Sequence, residues 1–436
     1  MDTNKHKMDT SEFILQHRLD DPRGLALLSG RYPEVNMPYA LDQIAGWQTA
    51  RDKLPSWAAV DGIVYPPHIS MEQCSSEAAA SYKACVVARL LSSLGCGDGC
   101  DRASVPQETT LADLTGGFAV DFSFLAPLFD RAVYVERDGA LCELADHNMR
   151  CLGLDNVTVV HDEAESVLRD MKAKTIVFLD PARRDSSGAR TYAIGDCTPD
   201  VTLLLDTLME KSCYVVLKLS PMLDWHKALC DLRHTVTQLH IVSVDGECKE
   251  LLLVLASTPS HDGCVEVSCV DIRRSTGSRS VYAFRHCPDG ARMDAVLTAP
   301  PRLSLDDMLD GGEPDTPLYL HEPNASVMKA GCFDELSRSF GLSAVSPNSH
   351  LFLSRVCAEG FPGRVLSVRT VTTMNRRQLK AALAGVDRAN ITVRNFPLRA
   401  EELRKRLRLK DGGDTYIVAT TTAAGSHVLL VCGREL

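Results

Sequence analysis

Long apolar runs are missing from this 436-residue sequence, and no stretch approaches the ~20 apolar residues that a membrane-spanning helix needs. The segment from Met1 to Ser11 is polar and lacks the apolar core of a secretory signal peptide. Internal repeats and low-complexity tracts are also absent. These absences exclude repeat architectures and predict a protein without a membrane span or a secretory leader.

Paired cysteine spacings are missing as well. The 16 cysteines occur singly in all parts of the chain, and Cys96 with Cys100 comes nearest to half of a metal site. No second pair of Cys or His complements them, so we predict no metal site. Unpaired thiols are typical of a reducing compartment, which predicts a cytoplasmic protein.

Charge is distributed unevenly along the chain. Hydrophobic residues make up 45% and charged residues 24%, as in soluble globular proteins, and the net charge is −10. The segment from Phe361 to Leu436 has 14 Lys/Arg and 6 Asp/Glu, a charge of +8, whereas the rest of the chain carries −18. A basic end on an acidic body favours a polyanion site at that end, although a basic face exposed to solvent has the same composition.

Apolar periodicity and turn residues divide the chain into four predicted regions. Residues 1–103 predict mainly helices, including one long helix that starts at a capping box of Ser70 and Gln73 and continues to about Leu94. Residues 104–257 alternate strands with helices, which predicts a parallel sheet covered on both faces and ended by a tight hairpin at Asp245-Gly246. Residues 264–355 predict a small α+β domain with one helix over 326–340, and residues 362–436 predict a βαβαββ domain.

The first four strands of the α/β region share one property, which is that each ends in an acidic residue: Asp113, Glu136, Asp162 and Asp180. Ligands of open α/β sheets bind beyond the carboxyl ends of the strands, so these carboxylates are expected to surround one site. Acidic residues also cap helices at strand–helix turns, which is the alternative reading. The dinucleotide fingerprint GxGxxG fails here, because Phe118 and Asp121 occupy positions that it reserves for glycine.

These features resemble the class I S-adenosylmethionine-dependent methyltransferases, and more narrowly those with a THUMP-like C-terminal domain. The resemblance rests on Leu54–Trp57, Glu72–Glu77, Asp113–Gly117, Asp180–Arg184, Glu322–Ala325 and Leu409–Asp414, and the family's third glycine is Ala119 here. It implies a helical leader, a Rossmann-like methyltransferase sheet over 104–257, a ferredoxin-like domain over 264–355 and a THUMP-like basic domain over 362–436. It further implies S-adenosylmethionine as cofactor and RNA as substrate.

Within that resemblance, six residues are expected to bind the cofactor: Asp113, Thr115, Gly116, Gly117, Glu136 and Asp162. Glu136 is placed to accept hydrogen bonds from both ribose hydroxyls, and Asp162 from the adenine amine. The two glycines allow the backbone to approach the methionine moiety without a Cβ.

Two acceptors of the methyl group remain open. Asp180-Pro181-Ala182-Arg183 stands where many amino-group methyltransferases carry Asp/Asn-Pro-Pro-aromatic, which favours an amine, although the aromatic residue is missing. Lys83, Asp180, Lys218 and Glu250 follow the order of the Lys-Asp-Lys-Glu tetrad of ribose 2′-O-methyltransferases, which favours a hydroxyl. Base C5 methylation is set aside, since no cysteine follows strand four or five. The predicted catalytic residues are therefore Asp180, Arg183, Lys218 and Glu250, with Arg183 and Lys218 meeting a phosphate or orienting the acceptor.

The basic C-terminal region predicts the RNA-docking surface. Its positive residues cluster on two predicted helices: Arg376, Arg377 and Lys380 on one, and Arg404, Lys405, Arg406, Arg408 and Lys410 on or just after the other. Few aromatic residues accompany them, so recognition of shape and phosphate is expected to dominate. Two alternatives are an RNA-binding protein that retains the cofactor without turnover and a small-molecule methyltransferase. His161 and His321, at strand ends, are expected to be packed or exposed to solvent rather than functional.

Overall fold

The computed structural model describes residues 8–66, 68–95, 108–183, 193–257, 263–287 and 317–434, and at 68–70, 95 and 183 it describes the backbone alone. The chain divides into two compact units. The first consists of Met1–His240, Lys249–Glu266 and Arg274–Gly277, and the second of Ile241–Cys248, Val267–Arg273 and Ser278–Leu436. In the described ranges, no helix is both long and apolar enough to cross a membrane.

The amino-terminal region is helical, as the sequence predicts. Pro22 and Pro38 lie in first turns, and the caps Asp21 and Asn36 accept hydrogen bonds from backbone N–H groups there. The helices are α1 (Thr10–His17), α2 (Pro22–Ala26), α3 (Met37–Lys53), α4 (Pro55–Ala58), α5 (His68–Gln73) and α6 (Glu77–Gly95).

The prediction of one helix from Ser70 to Leu94 is wrong, because residues 74–76 separate α5 from α6. The Ser76 hydroxyl accepts a hydrogen bond from the Ala79 N–H at 3.4 Å and thereby helps to start α6. A serine that bonds to the backbone in this way favours a helix start over a helix interior. The break also places Ser75 where its hydroxyl meets Asp121, at 2.7 Å.

A large sheet with a parallel centre forms the Rossmann-like part of the fold. Its strands are β1 (Thr110–Asp113), β2 (Arg131–Glu136), β3 (Val157–His161), β4 (Lys174–Leu179), β7 (Ser212–Leu219), β8 (Val236–Val244), β9 (Glu247–Ala256), β10 (Val265–Ile272) and β11 (Arg279–His286), and β5 (Ala182–Arg183) pairs separately with β6 (Cys197–Thr198). The order across the sheet is β11-β10-β8-β9-β7-β4-β1-β2-β3. The helices that follow its strands are α7 (Val120–Leu125), α8 (Gly139–Cys151), α9 (Ala164–Asp170), α10 (Val201–Lys211) and α11 (Trp225–Asp231).

The parallel centre is covered on both faces, as its continuous apolar strands predict. Leu111 of β1 lies opposite Ala132 of β2 and Ile176 of β4, and all three side chains are buried. This register brings the carboxyl ends of β1, β2 and β4 to one edge of the sheet.

The hairpin of β8 and β9 confirms the turn that the sequence predicts. Asp245 and Gly246 both have positive φ, 50° and 83°, as a two-residue primed hairpin turn requires. β9 then pairs antiparallel with β7, with Lys218 opposite Leu252.

Two strands assigned from the sequence to 264–355 instead extend this sheet beyond β8. These are β10 and β11, and β10 is buried at seven of its eight positions, as expected for an interior strand rather than the edge of a small domain. The sequence also predicted thiols throughout, but Cys264 and Cys287, which flank the two strands, are disulfide-bonded.

The second sheet has seven strands and follows the order of elements that the sequence predicts after Phe361. Its elements are β12 (Tyr319–Pro323), α12 (Ala325–Ala330), α13 (Phe333–Phe340), β13 (Ser343–Ala344), β14 (Phe352–Ser354), β15 (Gly363–Thr372), α14 (Arg376–Ala382), β16 (Asn390–Arg394), α15 (Ala400–Leu407), β17 (Thr415–Thr421) and β18 (His427–Arg434). The order is β13-β14-β12-β15-β18-β17-β16. Among the described strand pairs of this sheet, β16 and β17 run parallel and the others are antiparallel. The helix predicted over 326–340 is divided at Gly331, whose φ is +70°.

Candidate active site

The carboxyl ends of the parallel strands surround a cavity of about 750 Å³, a size typical of small-molecule sites. Its wall consists of Gln73, Cys74, Leu114, Thr115, Gly117, Phe118, Glu136, Arg137, Leu141, residues 162–165, 180–182, 197–199 and 218–221, Leu223 and Lys249. Six of the ten residues predicted for the site line it: Thr115, Gly117, Glu136, Asp162, Asp180 and Lys218. Asp113, Gly116 and Glu250 lie behind the wall, and of Arg183 the structure describes the backbone, in β5 opposite Cys197.

Asp113 shapes the first turn from inside the protein. Its Oδ1 accepts a hydrogen bond from the Thr115 N–H at 2.9 Å, and the Thr115 hydroxyl in turn accepts one from the Asp180 N–H at 2.6 Å. Burial raises the pKa of Asp113 to about 8, with smaller contributions from nearby carboxylates. This residue therefore connects the ends of β1 and β4, and the direct cofactor contact expected for it stays a prediction.

The two glycines of the turn have different reasons to be glycine. A Cβ on Gly116 would lie 2.0 Å from the ring of Tyr134, so the close packing of that ring requires a glycine. Gly117 has a φ of +54° and lines the cavity, and its carbonyl accepts a hydrogen bond from the Tyr134 hydroxyl at 2.5 Å. Ala119 has a φ of +63°, a conformation that favours glycine, which is the residue the family carries there.

Glu136 is held in a fixed orientation at the cavity wall. Its Oε2 accepts a hydrogen bond from the Gly117 N–H at 2.9 Å, and its Oε1 accepts one from the Asp138 N–H at 3.0 Å. A carboxylate can accept about four hydrogen bonds, so both oxygens keep capacity for a ligand. The carboxylate is therefore preorganised to receive hydroxyl donors.

Asp162 is fixed in a similar way at the end of β3. Its Oδ1 accepts a hydrogen bond from the Glu163 N–H at 2.8 Å, and its Oδ2 accepts one from the Ser166 hydroxyl at 3.2 Å. Ala164, in the first turn of α9, lies beside it in the cavity wall. A polar acceptor next to a small apolar residue suits one edge of a flat heterocycle.

Lys83 of α6 is fully buried among oxygen atoms. Its Nζ donates to both carboxylate oxygens of Glu250, at 2.6 and 2.7 Å, and to the Ser75 hydroxyl at 3.2 Å. The Asp121 Oδ1 lies 3.1 Å from the same Nζ. The ammonium is therefore compensated by two carboxylates, the stronger pairing being with Glu250.

Lys218, at the end of β7, joins the interior to the cavity. Its Nζ donates to the Asp180 Oδ2 at 2.5 Å and to the Asp121 Oδ2 at 3.3 Å. Burial alone would lower the pKa of Lys218, but Asp180, Asp121 and Glu250 raise it well above its usual range. Burial likewise opposes ionisation of Asp121, yet Lys83 and Lys218 hold its pKa below the usual range. We name the series Glu250, Lys83, Asp121, Lys218 and Asp180 the carboxylate–lysine chain.

The carboxylate–lysine chain differs from the Lys-Asp-Lys-Glu tetrad that the sequence suggests. Lys83 and Glu250 form a buried pair behind the wall, whereas Lys218 and Asp180 face the cavity. Asp121, which connects the two pairs, was missed as a functional residue. Its sequence signal was its place in the first turn of the helix after the two glycines, close to the strand ends.

The predicted basic surface is largely exposed. Arg376, Arg377 and Lys380 on α14, and Lys405, Arg406, Arg408 and Lys410 on or after α15, all have exposed side chains. Arg404 differs, because its guanidinium is paired with Asp411 at 2.5 Å. The two histidines singled out in the sequence differ. His321 is fully buried edge-on against Phe361, and burial lowers the pKa of His321 to about 4. His161 is exposed, and its ring lies beside Gly139 with Nε2 3.1 Å from the Arg137 carbonyl oxygen.

Comparisons with known proteins bear on the family. Residues 363–434 match a family model described as THUMP domain-like, and residues 319–362 match one described as a ferredoxin-like domain. The crystal structure of a presumed methyltransferase from Porphyromonas gingivalis W83 is 28% identical in sequence, with a TM-score of 0.78 and 98% of each chain covered.

Two curated relatives come from Mycobacterium tuberculosis, strains CDC 1551 and H37Rv. Each is an uncharacterized S-adenosylmethionine-dependent methyltransferase that is 25% identical over 319 residues, which cover 72% of this chain and 78% of the relative. The family and the cofactor expected from the sequence agree with these names. The chain is a homologue of S-adenosylmethionine-dependent methyltransferases and has a THUMP-like domain at its carboxyl end.

Proposed function

We propose that the protein transfers a methyl group from S-adenosylmethionine to RNA, on a base amine or a ribose 2′-hydroxyl. The observation that carries the proposal is the pair of preorganised carboxylates, Glu136 and Asp162, in the wall of a cavity at the carboxyl ends of parallel strands. That is where nucleotide-like ligands bind in this type of fold.

The residues present fit the cofactor. Glu136 retains acceptor capacity for the two ribose hydroxyls, and Asp162 for the adenine amine beside Ala164. The Gly117 backbone, without a Cβ, borders the space for the methionine moiety. Asp113 and Gly116 contribute from behind, by fixing the turn. When bound, S-adenosylmethionine supplies an electrophilic methyl group on a sulfonium.

The catalytic assignment centres on the cavity end of the carboxylate–lysine chain. Asp180 faces the cavity with 41% of its side chain exposed and is held by Lys218, so it is placed to accept a hydrogen from the substrate. Glu250 acts at a distance, through its pair with Lys83. Arg183, in β5 next to this end of the cavity, is assigned to a substrate phosphate.

RNA as the substrate is supported by charge and by the THUMP-like match. The region after Phe361 carries +8 on a chain of −10 overall, and its exposed cations lie on α14 and around α15. Such clusters suit contacts to a phosphate backbone. Because the proposed substrate is RNA, the proposal includes a cytoplasmic location.

The test is transfer of tritium from S-[methyl-³H]adenosylmethionine to a cell extract, containing the total RNA, of a strain that lacks the gene. We expect label in RNA with the wild-type protein and a loss of well over tenfold with Asp180→Asn, whose cofactor affinity is nearly unchanged because the effect belongs to the transition state. Label that enters only molecules passing a small-pore filter would instead identify a small-molecule methyltransferase and refute RNA as the substrate.

A further inference from the structure

The carboxylate–lysine chain leaves one uncompensated negative charge, and it lies at the cavity. Three carboxylates face two ammonium groups in the chain. Glu250 and Lys83 neutralise each other in the interior, and Asp121 and Lys218 do so in the middle. The remaining charge belongs to Asp180, the most exposed member at 41%.

Lys218 has no lone pair to offer as a base. Its side chain is 12% exposed and lies between two carboxylates, at 2.5 and 3.3 Å, an arrangement that stabilises the ammonium form. Lys83 is buried behind the wall and does not reach the cavity. Among the residues of the carboxylate–lysine chain, only Asp180 is therefore available to take a proton from a substrate.

A carboxylate is a weak base for an aliphatic hydroxyl, whose pKa lies far above that of aspartic acid. A nitrogen acceptor does not have to lose its proton before it attacks the methyl group. Its lone pair attacks first, and its N–H becomes strongly acidic as the new N–C bond forms, so that a carboxylate suffices. A negative group at the reacting end also stabilises the positive charge that develops on nitrogen.

We propose that the methyl acceptor is a nitrogen of the RNA whose proton passes to Asp180, and that Asp121 is the positioning residue that holds the Lys218 ammonium against Asp180. This inference rests on the proposed function. In the transfer, the S–CH₃ bond breaks with its electron pair left on sulfur, and the N–CH₃ bond forms from the nitrogen lone pair. The displaced proton goes to the Asp180 carboxylate and from there to solvent.

Asp121 is suited to this role by its own fixation. Its Oδ2 accepts a hydrogen bond from the Ser75 hydroxyl at 2.7 Å, and its Oδ1 lies 3.1 Å from the Lys83 Nζ. The carboxylate cannot rotate away from Lys218 without losing both. Because Lys218 is held from behind, its donor to Asp180 engages Oδ2 and leaves Oδ1 for the substrate.

The acceptor is tested by alkaline hydrolysis of RNA labelled as above. A methylated base yields labelled mononucleotides, whereas a 2′-O-methyl group blocks cleavage and leaves the label in alkali-stable dinucleotides. We expect labelled mononucleotides, with the methyl group on nitrogen by mass spectrometric fragmentation. Label in dinucleotides or on carbon would overturn the inference while the proposed function stands, and absence of label from RNA would overturn both.

Asp121 is tested with Asp121→Asn, and the exposed Asp206→Asn is the matched control. The other titratable groups around Lys218, which stay unchanged, are Asp180, Glu250, Lys53 and the Cys74 thiol. Asp121 is one of the carboxylates that raise the pKa of the Lys218 ammonium, so its loss lowers that pKa. We expect kcat to fall about tenfold or more, and the alkaline decline of kcat to begin at a lower pH than in the wild type and the control.

Calorimetry provides a readout besides activity. Affinity for S-adenosylhomocysteine should be within about twofold of the wild type in Asp121→Asn, since Asp121 does not line the cavity. A uniform loss of kcat at every pH, with an unshifted alkaline decline, would reduce Asp121 to a structural residue and overturn its positioning role.

Discussion

Replacing Glu136 with alanine tests the cofactor site, because this carboxylate has partners on two sides. Within the protein it accepts hydrogen bonds from the Gly117 and Asp138 N–H groups, at 2.9 and 3.0 Å. Toward the cavity it has lone pairs to spare, which the proposed function assigns to the ribose hydroxyls. The substitution removes both sets at once.

The expected magnitude follows from these contacts. A hydrogen bond to a charged group contributes about 1.5–3 kcal/mol, and water that enters the enlarged cavity replaces part of what is lost. We therefore expect the binding free energy to fall by about 1–3 kcal/mol, or roughly 5- to 150-fold in Kd. Glu136→Gln, which keeps one oxygen, should lie between the alanine variant and the wild type.

Isothermal titration calorimetry with S-adenosylmethionine measures the effect, and thermal unfolding of the free protein shows whether the turn has been disturbed. Glu143→Ala is the control, since Glu143 is an exposed residue of the neighbouring helix α8. An unchanged Kd in a folded Glu136→Ala variant would refute the assignment of this carboxylate to the cofactor.

Three further predictions concern stability and docking. Lys83→Met leaves Glu250 buried without its partner and should lower the free energy of unfolding, measured in urea, by about 3–5 kcal/mol. Adding Glu250→Leu should recover most of this loss. A double variant no more stable than the single one would contradict the prediction. The raised pKa of Asp113 means that the protonated form favours folding, so its contribution to stability is full below about pH 4 and is lost as pH rises to about 8. In Asp113→Asn, the free energy of unfolding should therefore lack this fall between pH 4 and 8. A pH dependence equal to that of the wild type would argue against the prediction. Replacing three exposed cations, Arg376, Arg377 and Arg406, with alanine should weaken RNA binding and reduce the log–log salt slope by about 0.7 for each lost phosphate contact, with cofactor affinity unchanged. The comparison is Arg404→Ala, because Arg404 is already paired with Asp411. An equal salt slope in both variants would place the RNA elsewhere.

The features that sequence reasoning predicted well depend on neighbours along the chain. Strand ends at Asp113 and Glu136 follow from short apolar runs, and the turn at Asp245-Gly246 follows from residues that adopt positive φ readily. The order of elements after Phe361 has the same local origin.

The features that it missed depend on distant partners. Asp121 acquires its role from Lys218, 97 positions later, and nothing near it in sequence indicates that contact. Gly116 looked like room for a ligand, but its neighbour is the Tyr134 ring. The break before α6 arises from the competition between helix and cap at Ser76, which helical periodicity does not register.

The burial of Lys83 has a consequence for synthesis on the ribosome. Its partner Glu250 is 167 positions later, which at about 5–20 residues per second is an interval of roughly 10–30 s. Before β9 emerges, the Lys83 ammonium lacks that partner. Docking of α6 would then desolvate the ammonium without the two hydrogen bonds that the Glu250 carboxylate later accepts. We expect α6, with apolar residues such as Val86, Val87 and Leu90, to wait undocked. A nascent chain of this protein stalled before Glu250 should therefore recruit chaperones through α6, and one stalled well beyond β9 should release them.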